Sequence, residues 1–123
     1  MIYGLLMLAA LQPADIAPDL LAAPHPRRPL AALIFPPDYP QALVGSGAQG
    51  RTVVRLGVAA TGRVVRCEVL RSSGTAVLDA TTCRLLAHRA AFVPGRDAAG
   101  NPVPGDYSGA IDWRDPAAPA PRR

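Results

Sequence analysis

The sequence predicts an α+β fold: a three-stranded antiparallel sheet of order 2-1-3 carrying one main helix and one short helix on one face. Three stretches predict it. "RTVVRLGVA" (51–59) and "VVRCEVL" (64–70) each alternate apolar and polar residues and flank "ATGR", the pattern of a hairpin with one buried face. "AVLDATTCRLLAHR" (76–89) changes to helical spacing. "GDYSGAIDW" (105–113) returns to alternation. The helix carries the chain back, so strand three runs parallel to strand two. In an antiparallel sheet it must then neighbour strand one, reached by a right-handed crossover.

Taken in order, Met1 to Leu11 is apolar and uncharged. As a helix it would be about 16 Å long, half of a bilayer's hydrocarbon core. Residues 1–14 therefore read as a secretory signal or a weak anchor, which implies export. With no basic flank, and with "QPAD" a poor cleavage site, a buried terminal helix or strand is the competing reading. Residues 15–37 are a Pro-rich linker, rising about 3.1 Å per residue if extended. The folded domain is expected over 38–114, with 115–123 a disordered tail. Asp38 and Gln41 have capping-box spacing, and Pro40 suits an early helical position. That short helix should stop at Gly45 and Gly47.

Strand one should bury Thr52, Val54, Leu56 and Val58, and strand two Val65, Cys67 and Val69. Thr75 is placed to cap the main helix, whose inner stripe is Leu78, Thr82, Leu85 and Leu86, with Arg84 and His88 facing away. Strand three should turn Tyr107, Ile111 and Trp113 to the same side.

Gly45, Gly47 and Gly50 spell the G-x-G-x-x-G of a dinucleotide-binding loop. That loop needs a strand before it and a helix after it, and here the order is reversed, so the glycines are read as turns. All 13 basic residues are arginine and the net charge is +4, but no run exceeds two. Nucleic acid is therefore not an expected partner. Cys67 points inward from strand two and Cys83 lies on the helix flank, 16 residues on. A disulfide fits export; two buried free thiols are the alternative. His25 and His88 read as solvated, Ser72 and Ser73 as turn residues. Nothing indicates a catalytic site, a metal or a cofactor.

"YP" at Tyr39-Pro40, "GAQG" at 47–50, "VVRLGVAATGRVVRCEVLRSSG" through Gly74, "LDATTCRLL" and "AFVPGRDAAGNPV" form, in this order and spacing, one match of about 75 residues. It resembles the C-terminal domain of the TonB family. The resemblance implies a periplasmic domain, inner-membrane associated if residues 1–14 stay attached. It also implies capture of the TonB-box peptide of outer-membrane transporters by strand addition. Strand three is an edge in order 2-1-3, so Tyr107, Ser108, Gly109, Ala110, Ile111 and Asp112 are the expected partner-binding residues. Leu43 replaces the family's usual Ala after Tyr-Pro.

A full energy transducer also contacts an inner-membrane motor across a long periplasmic span. Eleven apolar residues are short for the membrane helix, and the 26 residues from 12 to 37 reach about 80 Å, so motor proteins are doubtful partners. Two rival expectations remain: a scaffold that forms a homodimer through the strand-three edge, and a weak binder of anionic surfaces through scattered arginines.

Overall fold

The computed structural model describes residues 22–117. The signal-like segment 1–14, linker residues 15–21 and tail residues 118–123 lie outside them. In chain order the elements are β1 (His25–Pro26), β2 (Gly50–Val58), β3 (Val64–Arg71), α1 (Ala76–Arg89), β4 (Phe92–Val93), β5 (Gly95–Arg96), β6 (Pro102–Val103) and β7 (Gly105–Trp113). Three 3-10 turns, Leu30–Leu33, Pro36–Asp38 and Gln41–Leu43, precede β2.

The alternating runs form one antiparallel sheet of order β3-β2-β7, the arrangement the chain order predicts. Its inner face buries Thr52, Val54, Leu56 and Val58 from the central strand, with Ile111 and Trp113 from β7. Against it α1 presents Leu78, Thr82, Leu85 and Leu86, while Arg84 and His88 stay in solvent. Phe92, Tyr39, Leu30 and Leu33 complete the core. Cys67 and Cys83 form a disulfide between β3 and α1, Cα atoms 5.6 Å apart.

The short helix takes the form of 3-10 turns. Pro36, Pro37 and Pro40 offer no N–H and fix φ, so no α-helical ladder can build up here. The Asp38 carboxylate accepts the Phe35 N–H at 2.7 Å and both Nη atoms of Arg89 at 2.6 and 2.9 Å. Residues 22–34, expected as spacer, lie against the domain. β1 pairs with β4, Ala22 bridges Arg96, and Leu30 and Leu33 are buried. Alternating prolines and leucines allow both roles, since an extended chain can lay apolar side chains on a neighbour.

β3 departs from simple alternation. Gly57 faces Arg66 but Val58 faces Val64, and Val54 faces Val69 but Val53 faces Arg71. Two residues of β3 thus oppose one step of β2 at each place, which leaves Val65 and Leu70 as the extra residues. Val64, not Val65, turns inward, and Val65 is 66% exposed.

At the start of α1, Thr75 makes no side-chain cap. The Asp79 carboxylate gathers the loop instead. It accepts Thr52 Oγ1 at 2.9 Å, Ser73 N–H at 2.9 Å, Ser73 Oγ at 2.8 Å, and Ser72 Oγ. Burial opposes its ionisation, but the hydrogen bonds from Ser72, Ser73 and Thr52 prevail and hold its pKa below the usual 3.8.

Candidate functional site: the outer edge of β7

β7 faces β2 residue for residue, from Gly50 opposite Trp113 to Val58 opposite Gly105, with no register shift. On its other side no strand pairs with it, and among the described residues no further main-chain group bonds to it. In an antiparallel strand every other residue directs its N–H and C=O to the same side. The outer side of β7 is therefore a regular row of donors and acceptors nine residues long.

Side chains of β7 divide between the two faces. Asp106, Ser108, Ala110 and Asp112 belong to the solvent face. Asp112 takes Arg51 through both oxygens, at 2.8 and 3.1 Å, and that hydrogen-bonded guanidinium lowers its carboxyl pKa. The Arg66 side chain lies across Gly57, where a Cβ would meet it, and reaches Asp106 at 3.0 Å. These pairs are exposed and screened by solvent, so they contribute little to stability and chiefly align the strands. On the inner face Tyr107 meets Phe92 edge-on at 5.2 Å, and Leu30 packs onto Gly109. Ile111 is buried, and Trp113 Nε1 donates to Thr82 Oγ1 at 2.7 Å.

The C-terminal end of β7 is clamped. Tyr39 lies edge-on to Trp113 at 6.2 Å and donates its hydroxyl to Ala48 O at 2.5 Å. Asp115, read from sequence as tail, is buried. Its carboxylate accepts Gly45 N–H at 3.1 Å, Gly47 N–H at 2.7 Å and Ala117 N–H at 3.0 Å, bonds that lower its pKa. Gly45 and Gly47 have φ of +87° and +81°, a conformation glycine adopts without strain and one that lets both amides point at one anion. The carbonyl of Ser73 lies where a Cβ of Gly50 would be. The nucleotide-like spelling is thus a turn that cradles the chain's own carboxylate. Beside this clamp, Ile34, Phe35, Pro36, Tyr39, Asp112, Trp113, Arg114 and Pro116 line a groove of about 410 Å³.

The sequence profile of the Gram-negative bacterial TonB protein C-terminal family matches residues 36–114. The chain belongs to that family. No curated protein matches it. TonB C-terminal domains are adaptor modules rather than enzymes, and the open, non-barrel sheet is compatible with strand addition. Tyr39 and Pro40 have structural places: Tyr39 is buried against Trp113, and Pro40 begins the turn that follows. Tyr107, Ser108, Gly109, Ala110, Ile111 and Asp112 all lie on this edge strand, contiguous in register with Leu56 back to Arg51. Sequence reasoning missed Asp115, Phe35 and the two irregularities of β3. Gly45 and Gly47 were the one available signal for Asp115, but a carboxylate 68 residues away cannot be paired with them by spacing. Among the described residues no helix is long and apolar enough to cross a membrane.

Proposed function

We propose that this TonB-family domain is a periplasmic module that captures the TonB-box peptide of outer-membrane transporters as an added strand along β7. One observation supports it above the others: β7 is a regular nine-residue edge with no partner on its outer side among the described residues. The opposite edge, β3, is interrupted twice by register shifts, and such irregularities disrupt pairing. Main-chain hydrogen bonds tolerate varied peptide sequences, which suits one module serving several transporters. The clamp at Trp113 and Asp115 fixes the far end of the strand, so the row of donors and acceptors is in place before a partner arrives and little ordering entropy is lost on binding.

Titration of the purified protein with a nine-residue box peptide, followed by backbone amide shifts, tests the reading. Shifts concentrated in residues 105–113 are expected. Shifts confined to other elements remove the assignment. Sedimentation of the peptide-free protein separates capture from the scaffold alternative: a stable dimer dispersed by the peptide would show the same edge pairing with itself.

A further inference from the structure

We propose that the face built from the segment 22–34 and the turns beside it adsorbs to an anionic phospholipid bilayer, with phosphate headgroups taken by Arg27, Arg28, Arg63, Arg84 and Arg96. The proposal concerns a part of the surface other than β7 and is independent of strand addition there.

These arginines are dispersed in sequence and gathered by the fold. The segment from Ala22 runs antiparallel to residues 91–96: Ala22 bridges Arg96, Pro26 pairs with Phe92, and the Arg27 N–H reaches the Ala91 carbonyl at 2.8 Å. Arg63, in the turn between β2 and β3, bridges the same Ala91. Arg27, Arg28 and Arg89 surround a depression of about 70 Å³ with Leu33 and Ala91. Arg84 stands near enough to Asp38, the partner of Arg89, to act on its carboxylate through space.

All five are exposed, and none has an ion-pair partner among the described residues. The adjoining carboxylates are already engaged. Asp38 holds Arg89, and Asp97 accepts the amides of Ala99 and Asn101 in its own turn. Arg71 and Arg114, exposed and likewise without an ion-pair partner among the described residues, lie at the opposite end of the sheet, where Gly50 meets Trp113. A cation in the last turn of a helix complements its dipole. That accounts for His88 and Arg89, but not for arginines on an extended segment and a hairpin turn.

Charge alone would suit any polyanion; the course of the chain selects a bilayer. Ala22 lies beside Arg96 in this face, and residues 12–21 connect it to the apolar run Met1–Leu11. That connection spans at most about 40 Å. An apolar segment so short holds a membrane weakly, and a basic patch within its reach supplies the second attachment that stable association needs.

The test sediments the full chain with vesicles of phosphatidylcholine alone and of phosphatidylcholine mixed equally with phosphatidylglycerol. Each arginine near an anionic surface strengthens partitioning about fivefold. The double variant Arg27→Gln/Arg28→Gln should therefore lose about 25-fold on the mixed vesicles. Arg71→Gln/Arg114→Gln removes the same charge from the far end and should lose less than about twofold. None of these four side chains makes a hydrogen bond or ion pair among the described residues, so both variants should keep the melting temperature of the natural protein. Equal losses in the two variants would reduce the effect to net charge and overturn the proposal. So would equal binding to both kinds of vesicle, which would assign adsorption to the apolar run. Release from the vesicles by inorganic phosphate at constant ionic strength would make a soluble anion the ligand. Tighter binding to a soluble anionic polysaccharide than to the mixed vesicles would make that the partner; either result overturns the proposal as well.

Discussion

Asp79 and Asp115 are two buried carboxylates used as fasteners. Each gathers donors from segments distant in sequence and remains ionised because those donors outweigh the cost of burial. Replacing Asp79 by alanine strands Thr52 Oγ1, which is fully buried, together with the donors of Ser73. We expect Asp79→Ala to cost about 2–3 kcal/mol in urea unfolding; a loss below about 0.5 kcal/mol would show that water replaces it freely. Neither fastener was legible in the sequence. An aspartate in the first turns of a helix looks like a favourable dipole partner, and one after the last strand looks like tail. Leu85 and Trp113 were legible as core because each falls on the inward side of its element's periodic pattern.

At the scale of elements, alternation located β2, β3 and β7, and helical spacing located α1, because each must hide one face. The inner face of β3 was misread at Val65, since inserting one residue flips the side that follows and leaves no mark in composition. The turns after Phe35 formed as 3-10 geometry because proline both favours a helical start and starves it of donors. The Cys67–Cys83 bridge ties α1 to the sheet edge away from β7. Its loop of 16 residues implies about 3 kcal/mol of stabilisation by constraining the unfolded chain. Reduction should lower the unfolding free energy measured in urea by that amount while leaving the affinity for box peptide unchanged at ambient temperature. Loss of peptide affinity in the reduced but folded protein would mean that β3, rather than β7, forms the docking edge.

Across the whole molecule, the two edges of the sheet differ in build: one is irregular and cross-linked to the helix, the other regular and without a partner on its outer side among the described residues. Four carboxylates, Asp38, Asp79, Asp112 and Asp115, have lowered pKa values. A carboxylate depressed in the folded state contributes stability that is complete above its unfolded value and is lost as pH falls through the folded one. Stability should therefore change little with these groups above about pH 5 and decline as pH falls below about 4. Asp115→Asn should show a shallower decline. An acid limb of equal depth in that variant would place the linkage elsewhere.

The account turns on whether β7 receives another backbone, and amide hydrogen exchange measures that directly. With saturating box peptide, alternate amides between Asp106 and Asp112 should gain protection. Their neighbours, already bonded to β2, and the outer amides of β3 should change little. Uniform exchange along β7 with and without bound peptide, or new protection appearing on β3 instead, would contradict it.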